Sequence, residues 1–531
     1  MKKLLSAGIL FLLCTSLKAD VTTFQIVYGD TAHSEVRAIV QTTDNHYAYI
    51  GSSTLSGDST TDLLLTIIDS VGNPVSVRFS TLRDDYGFDL KQTSDKGYII
   101  CGSTFGSPLD PDFQDIMLIK TDQFGSIQWA NAFGNFGTDR AFSVSVTQDG
   151  YFMTGVTNSG DSGYTQALVF KVNFSGTPLW WFVSSAFNHS IFNDGCFASD
   201  SSTIAVGCTI DSTGSKDLLA VKYDSTGTVV WSKRYAAAGD QDGNSILAIA
   251  GGGCIIAGYS NSDSTVNGTD MLVTKLDSAG NIEWTKTYNY LYEDVATKII
   301  QLRNGNYAVT GFSNTDTTAS GTKKVVDFLE LNTAGDTVLT EMYGDLSADN
   351  ISYSIAETQD TGFVIGGVTK GFSKPNGLAY IIKTDSLAKT ILCENALSIT
   401  IGSLFLADSS GIETDTIALF YSIFNLHQAP DTESFSAYCF SLTTGEHQSV
   451  RAINMYPNPV QQTLTVDLNN SDHQFKTLII SDVFGRIVAE KKIDADQSLI
   501  QLNTAMLKPG IYEVELRGQK NVAARKFVKV D

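Results

Sequence analysis

The stretch CIIAGYSNSDSTVNGTDMLVTKLDSAGNIEWTKTY, from Cys254 to Tyr288, decides the fold of this 531-residue chain. It contains two apolar runs and one alternating run, separated by polar and glycine-containing turns. The glycine of its first apolar run recurs 51 to 53 residues apart at Gly51, Gly102, Gly155, Gly207, Gly258 and Gly311, and again at Gly366 or Gly367. A period of this length predicts a solenoid, a propeller or a similar array of repeats.

Each repeat contains four segments with strand character. In residues 246–288 these are ILAIA, CIIAGYS, MLVTKLD and IEWTKTY. The continuous apolar runs are typical of strands buried on both faces. The alternating last run is typical of an outer strand with one solvent-exposed face. Four such strands form one antiparallel sheet, and a ring of such sheets is a β-propeller. The fold class is therefore predicted to be all-β.

The turn between the third and fourth strands has the strictest spacing. Asp or Asn precedes a glycine by three residues in six copies: Asp69/Gly72, Asp122/Gly125, Asn173/Gly176, Asp224/Gly227, Asp277/Gly280 and Asn332/Gly335. The Asx side chain can bond the backbone two residues on, and glycine supplies the positive φ of a tight turn. Trp follows the glycine by four residues at Trp129, Trp180, Trp231 and Trp284. A large ring at one fixed point in each sheet predicts packing between neighbouring sheets.

The number of these turns predicts eight blades within residues 20–447, because further copies occur at Ala388 and Gly445. No Trp-like strand follows Gly445, but FQIVYG at Phe24–Gly29 matches WANAFG at Trp129–Gly134. A ring loses its free edges only if its ends join. Residues 22–28 are therefore expected to form the outer strand of the eighth blade.

Charge and composition exclude several classes of protein. The net charge is −21, which disfavours binding to nucleic acid or to anionic membranes. Residues 1–19 read as a signal peptide, with Lys2 and Lys3 before an apolar run that is too short to span a membrane. The mature chain is expected to have no transmembrane segment. Its six cysteines are interpreted as buried free thiols, with Cys196–Cys208 and Cys393–Cys439 as the pairs to consider for disulfides.

The sequence contains no recognisable catalytic motif: G-x-S-x-G, H-E-x-x-H and the Walker loop are all absent. Asp240, Asp242 and Asn244 have the one-three-five oxygen spacing of a calcium loop. They also fall on the turn that enters a blade, where Asp85, Asp139 and Asp294 occupy the position of Asp242 in other repeats. These three residues are a candidate metal site, and no other cofactor is expected.

The D-x-x-G-x-x-x-W motif resembles the tryptophan-docking signature of quinoprotein-like eight-bladed propellers. The Asp149-Gly150-Tyr151 motif resembles propeller repeats of exported bacterial proteins. The resemblance covers roughly residues 22–447. It implies an exported propeller, and it implies little about activity because propellers have many functions.

The composition changes after His447, and residues 448–454 are interpreted as a linker. The segment 455–531 begins with Met455-Tyr456-Pro457-Asn458-Pro459, and its short strands predict a small immunoglobulin-like β-sandwich. It resembles the type A C-terminal sorting domain of the type IX secretion system of Bacteroidota. The motif residues of this resemblance are Tyr456, Pro457, Asn458, Pro459, Asp482, Gly485, Gly510, Tyr512 and Lys526. The resemblance implies recognition by the type IX translocon, processing by a sortase-like protease, and a location outside the cell.

Two functions remain open at this stage. The first is a non-catalytic binding or adhesion protein that recognises a glycan or a protein. Its ligand would bind the variable connections between second and third strands, at residues 104–114, 158–165, 261–269 and 314–324. The second is an extracellular enzyme, either a quinoprotein-like oxidoreductase or a polysaccharide-degrading enzyme, with its site at the mouth of the channel.

Overall fold

In the computed structural model, strands are the regular elements of the described residues. The described residues are 23–28, 33–54, 59–69, 74–81, 83–107, 109, 112–158, 164–184, 189–262, 268–290, 292–314, 323–372, 376–390, 394–396, 400–403, 407–410, 414–415, 420–423, 427–430, 435–441, 454–456, 460–467, 475–482, 487–493, 499–507, 510–518 and 522–529. The chain divides into two compact units, Thr23–Ser441 and the remainder. The predicted signal peptide lies outside the described residues and stays a prediction.

The described part of Thr23–Ser441 forms seven antiparallel sheets of five strands, and we number the sheets in chain order. The first four strands of sheets 1 to 3 are, in sheet 1, β2 (Ala38–Gln41), β3 (Tyr47–Ser53), β4 (Asp62–Ile68) and β5 (Pro74–Ser80); in sheet 2, β6 (Asp85–Gln92), β7 (Tyr98–Thr104), β8 (Asp115–Thr121) and β9 (Ile127–Gly134); in sheet 3, β10 (Asp139–Val146), β11 (Gly150–Thr157), β12 (Gln166–Asn173) and β13 (Pro178–Ser184).

Sheets 4 to 7 repeat this order. Their first four strands are, in sheet 4, β14 (His189–Phe197), β15 (Thr203–Ile210), β16 (Lys216–Tyr223) and β17 (Val229–Ala236); in sheet 5, β18 (Gln241–Ala248), β19 (Cys254–Ser260), β20 (Asp270–Leu276) and β21 (Ile282–Asn289); in sheet 6, β22 (Asp294–Gln301), β23 (Tyr307–Asn314), β24 (Lys324–Leu331) and β25 (Thr337–Tyr343); in sheet 7, β26 (Asn350–Glu357), β27 (Phe363–Thr369), β28 (Leu378–Lys383) and the N-terminal β1 (Thr23–Tyr28).

The fifth strands come from a single later segment of the chain. From sheet 1 to sheet 7 they are β34 (His427–Pro430), β33 (Phe420–Ile423), β32 (Thr414–Asp415), β31 (Ala407–Ser410), β30 (Thr400–Ser403), β29 (Glu394–Ala396) and β35 (Phe435–Ser441). Each pairs antiparallel with the fourth strand of its sheet.

Consecutive sheets pack against one another, and sheet 7 also contacts sheet 1. The amide of Val36 donates to the carbonyl of Gly367 at 3.0 Å. The amide of Ile39 donates to the Ser354 hydroxyl at 3.1 Å. The repeated four-stranded motif and these contacts are compatible with a propeller.

The turn between third and fourth strands forms as the sequence predicts. In sheet 5 the Asp277 carboxylate accepts the amides of Ala279 and Asn281, and Gly280 has φ of 76°. A Cβ at Gly280 would lie 3.1 Å from the Trp231 ring of sheet 4. Gly176, Gly227 and Gly335 stand in the same relation to Trp129, Trp180 and Trp284. The predicted packing of Trp between neighbouring sheets is therefore confirmed in four places.

The N-terminal strand completes the last sheet, as the match with Trp129–Gly134 indicates. β1 pairs with β28, and Phe24 faces Lys383 just as Trp129 faces Lys120 in sheet 2. The count differs from the sequence-based prediction, since the described residues form seven such sheets and not eight. In sheet 7, β1 takes the place of a fourth strand that would otherwise follow the turn at Ala388. The described strands after residue 390 and before residue 442 are therefore fifth strands. The segment interpreted as part of an eighth blade contains β35, which pairs with β1.

The Asp-Gly-Tyr motifs have a physical role that the sequence did not reveal. Asp149, between β10 and β11, forms an ion pair with the buried Lys171 of β12 at 2.6 Å. The same pairing occurs at Asp95–Lys120, Asp200–Lys222 and Asp360–Lys383. In each pair the Asp carboxylate neutralises the charge of a lysine whose side chain is buried in the third strand.

The described cysteines are free and buried, namely Cys101, Cys196, Cys208 and Cys254. Cys196 faces Ile204 and Cys208 faces Ile191 across β14 and β15, so the proposed Cys196–Cys208 pair is wrong. Burial raises the pKa of the Cys254 thiol to about 12, which keeps it protonated and unreactive. The side chains of Cys393 and Cys439 lie outside the described residues.

The C-terminal unit contains two antiparallel sheets. One consists of β36 (Asn454–Tyr456), β37 (Thr463–Asp467) and β40 (Leu499–Asn503). The other consists of β38 (Phe475–Asp482), β39 (Ile487–Lys492), β41 (Gly510–Gly518) and β42 (Val522–Lys529). Both sheets contribute to one core, which includes Val466, Ile500, Leu478 and Val514. Two sheets around a shared core agree with the predicted sandwich.

Candidate functional site

The first strands of consecutive sheets contact one another, and that of sheet 7 contacts that of sheet 1. In sheets 2 to 7 each first strand has a break in register that leaves one residue outside the ladder: Phe88, Phe142, Asn193, Asn244, Thr297 and Tyr353. Such a bulge bends the strand and redirects its side chains. The Phe88 and Phe142 rings lie 5.4 Å apart, and the Arg37 guanidinium lies 4.2 Å from the centre of the Tyr353 ring.

A polar cluster is formed by the residues that follow these bulges. Asp194 is buried, and its carboxylate accepts the hydroxyls of Ser143 at 2.6 Å and Ser245 at 2.9 Å. It also accepts the Lys298 ammonium at 2.7 Å. These partners belong to sheets 3, 5 and 6, so one carboxylate of sheet 4 connects four sheets. The bond from Lys298 joins sheets 4 and 6 directly, although these sheets are not consecutive.

A second ion pair lies beside this cluster. The Asp89 carboxylate accepts the Lys91 ammonium at 2.6 Å and the amide of Val144 at 3.0 Å. Ser143 lies between the two acids, since its hydroxyl is 3.4 Å from Asp89 and 2.6 Å from Asp194. Each acid therefore has a lysine counter-ion.

The electrostatics of the cluster favour the ionised state of Asp194. Burial raises the pKa of Asp194, but Lys298 and the Ser143 hydroxyl outweigh burial and hold the pKa below its ordinary value. Burial likewise lowers the pKa of Lys298, but the Asp194 charge raises it above the ordinary value. A carboxylate held in this way is a weak proton acceptor, so the pair is suited to binding sheets together.

The sequence analysis missed this cluster, although a signal exists. An alignment of the repeats on their bulges gives one column of the first strands in which every residue is polar: Asp89, Ser143, Asp194, Ser245, Lys298 and Ser354. Polar residues at one repeated position of a buried strand indicate a shared environment. The connection between particular members of the column depends on the tertiary arrangement.

The candidate calcium ligands are engaged in separate interactions. Asp240 accepts the amide of Lys216 at 2.9 Å. Asp242 accepts the Asn193 amide group at 2.9 Å and the Lys216 ammonium at 3.2 Å. Asn244 donates its amide to the carbonyl of Ala296 at 2.9 Å. The described part of the chain contains no group of three or more His, Cys, Asp or Glu side chains that could hold a metal ion. Calcium at this place stays a prediction.

The connections predicted to bind a ligand lie at equivalent ends of their sheets. We call this the loop end, and it also carries the connections from one sheet to the next. At the end of the second strand, a backbone amide donates to the carbonyl of such a connection in four sheets: Phe105 to Asp84, Asn158 to Thr138, Asn261 to Asp240 and Asn314 to Glu293. Parts of residues 104–114, 158–165, 261–269 and 314–324 lie outside the described residues.

Exposed aromatic rings mark the loop end of sheets 2 and 3. Phe113 is 45% exposed and precedes β8, Phe136 is 80% exposed between β9 and β10, and Tyr164 is 43% exposed before β12. The Tyr164 ring packs edge-on against His189, with 5.2 Å between centroids. Large exposed rings on neighbouring connections are typical of binding surfaces.

The described residues of the sorting motif lie in the sheets of the C-terminal unit. Tyr456 lies in β36, Asp482 ends β38, and Lys526 lies in β42. Gly510 begins β41, and the buried Tyr512 faces both Asp482 and Phe527 across the ladders. Pro457, Asn458, Pro459 and Gly485 lie outside the described residues.

Residues 454–530 match the family model described as "Secretion system C-terminal sorting domain". The C-terminal unit is a type IX secretion sorting domain. A chain with this sorting domain is secreted or displayed at the cell surface. No helix of the described residues is long and apolar enough to cross a membrane.

Other similarities are local or remote. The chain is 31% identical over 116 residues to the regulatory protein FlaEY of Caulobacter vibrioides, a match that covers 19% of this chain and 12% of that protein. The chain thus spans a small part of that relative. A protein of unknown function from Dyadobacter fermentans superposes with a TM-score of 0.39 at 9% identity, over 69% of this chain and 98% of that one.

PorZ, a surface component of the type IX secretion system of Porphyromonas gingivalis, superposes with a TM-score of 0.20 at 8% identity. The match covers 96% of this chain and all of that chain. Because these scores are low, the description of the fold rests on the strand pairing of the chain itself.

Proposed function

We propose that this protein is a non-catalytic extracellular binding protein, which holds a glycan or protein ligand on the loop end of a β-propeller. The observation that carries the proposal is the exposure of Phe113, Phe136 and Tyr164 on neighbouring connections of sheets 2 and 3. Burial of these rings against a ligand would remove apolar surface from water, which favours binding.

The scaffold supports this proposal. The contacts of sheet 7 with sheet 1 join the first and last repeats, as a closed ring of seven blades requires. Such a ring would hold the loop ends at fixed positions on one face. Connections on a rigid scaffold are where binding residues commonly lie.

The central cluster supports a non-catalytic role. Asp89 and Asp194 are each neutralised by a lysine and accept further hydrogen bonds from neighbouring sheets. A general base needs a pKa near the working pH and access to a substrate proton. Asp194 has neither property, because it is buried and its pKa is held low.

The proposal is tested with a glycan and protein array, run on the purified secreted protein with and without a calcium chelator. A hit is then measured with the variant Phe113→Ser/Tyr164→Ser, which should weaken binding at least tenfold, equivalent to about 1.4 kcal/mol. The matched control is Phe124→Ser/Phe174→Ser, since Phe124 and Phe174 are 45% and 50% exposed at the opposite ends of the same two sheets. The control should bind as the unmodified protein does.

Turnover of a bound ligand would overturn the proposal and favour an extracellular enzyme with its site at the channel mouth. Equal losses in both variants would show that the loop end has no special role. Binding that disappears with chelation would favour the calcium site at Asp240, Asp242 and Asn244.

A further inference from the structure

The fifth strands are supplied by one continuous segment, residues 394–441, which we call the belt. Its strands follow the sheets in reverse order: β29 lies on sheet 6, β30 on sheet 5, β31 on sheet 4, β32 on sheet 3, β33 on sheet 2 and β34 on sheet 1. The last strand, β35, returns to sheet 7. One segment thus visits the outer edge of every sheet once.

The spacing of the belt strands fits this path. They begin at residues 394, 400, 407, 414, 420, 427 and 435, six to eight residues apart. Only three or four residues separate one belt strand from the next. A connection of that length spans at most roughly 13–18 Å. Sheets packed face to face lie about 10 Å apart, so each connection can reach only a neighbouring sheet.

The belt pairs with the outer edge of each fourth strand and itself becomes the outermost strand of each sheet. An outer strand with unpaired amides and carbonyls is a template for pairing with other chains. The fourth strands β5, β9, β13, β17, β21 and β25 each gain a belt partner. β1 pairs with β28 on one side and with β35 on the other, so the C-terminal end of the belt secures the N-terminal strand.

We propose that the belt is a strap that locks the ring of sheets, by covering all seven outer edges and clamping β1 in place. In a repeat protein each unit contacts only its neighbours, and the ring can open wherever one interface fails. Such a strap couples the sheets, because separating two neighbouring sheets must also break the pairing between the belt and a fourth strand. The proposal rests on the ring arrangement and not on ligand binding.

The register of the belt is tested with engineered cysteine pairs in the full chain. Gly402 of β30 faces Thr287 of β21, so Gly402→Cys with Thr287→Cys should form a disulfide in high yield, identified by peptide mass spectrometry. The mismatched pair Gly402→Cys with Arg234→Cys is the control, because Arg234 of β17 faces Ser409. Equal yields from the two pairs, or no disulfide in the facing pair, would overturn the proposal.

The locking effect is tested by proline substitution and amide hydrogen exchange. In Ile401→Pro/Gly402→Pro one of the two lost amides must point at β21, because amides alternate along a strand. The amides of β21 should then exchange at least tenfold faster, while those of β17 change little. Ser409→Pro/Ser410→Pro should give the reciprocal result in β17. Unchanged exchange in the facing strands would overturn the proposal, and far-UV circular dichroism serves as the separate check that the sheets remain folded.

Discussion

At the residue scale, the turn glycine and the Trp of the preceding sheet form one packing unit. Gly280 needs φ of 76°, and a Cβ there would also meet the Trp231 ring at 3.1 Å. The Trp231 ring nitrogen donates to the carbonyl of Ser278 at 3.0 Å, in the same turn. Backbone conformation and packing therefore select glycine for two separate reasons.

Gly280→Ala should lower the free energy of unfolding by about 2–3 kcal/mol, as measured by denaturant unfolding. The control is Gly251→Ala, since Gly251 has φ of 88° but open space around its Cβ position. In the control only the positive φ opposes alanine, so the free energy of unfolding should fall by about 1 kcal/mol. Equal losses in the two variants would mean that contact with Trp231 contributes nothing.

A buried carboxyl at the start of sheet 2 makes stability depend on pH. Burial raises the pKa of Asp85 to about 7, and the nearby charge of Asp62 adds to the shift, although hydrogen bonds from Thr104 and Thr81 oppose it. Between about pH 4 and 7 the folded state keeps a proton that the unfolded state releases. Stability therefore falls as pH rises through this window, by up to about 4 kcal/mol.

Asp85→Asn should remove this slope and make the protein more stable at pH 7 than the unmodified chain. Amides are tolerated at this position, because Gln241 and Asn350 begin the first strands of sheets 5 and 7. The strand register aligns Asp85 with Gln241, so its sequence alignment with Asp242 was wrong by one residue. Unfolding is measured from pH 4 to pH 8. Asp211→Asn is the control, since Asp211 is an exposed turn residue whose pKa is lowered by its hydrogen bonds to Thr213. An unchanged slope in Asp85→Asn would contradict the assignment.

At the element scale, β1 shows how the position of a strand can be predicted while the described part of Thr23–Ser441 forms seven sheets and not the expected eight. The match of Phe24–Gly29 with Trp129–Gly134 predicted β1 to be the outer, fourth strand of a sheet. The structure places β1 in the fourth position, with β35 outside it. The turn at Ala388 also forms, with φ of 57°. The repeat pattern could not show that β1 takes the fourth position after that turn, because strand choice depends on which edge is free.

Deletion of residues 23–28 should destabilise the whole of Thr23–Ser441. It removes six buried residues and leaves β28 and β35 without their partner. Thermal unfolding should shift to lower temperature by several degrees. A peptide of residues 20–30 added in trans should restore the midpoint, and the same peptide with Ile26→Asp should not. A deletion that leaves the midpoint unchanged would contradict the role of β1.

At the scale of the whole molecule, the two units have separate roles. Thr23–Ser441 has its own cores, and the sorting domain has another. Export information is contained in the sorting domain, which matches its family over residues 454–530. The binding surface proposed above lies on the other unit.

A chain that ends at Ser441 should fold but remain in the periplasm of a host with a type IX system. Its location is followed by cell fractionation and immunoblotting beside the full-length protein. As a control, residues 442–531 fused to an unrelated periplasmic carrier should carry that protein outside the cell. Export of the truncated chain in normal amount would show that the sorting domain is dispensable.

The sequence by itself determined what is local and repeated. The all-β class, the Asx-Gly turns, the Trp contacts and the sorting domain all follow from short-range patterns, since turn chemistry and strand periodicity involve neighbouring residues. The tertiary structure decided the number of sheets, the path of the belt and the link from Asp194 to Lys298. These depend on which strand edges and buried charges meet across hundreds of residues, and no local pattern contains that information.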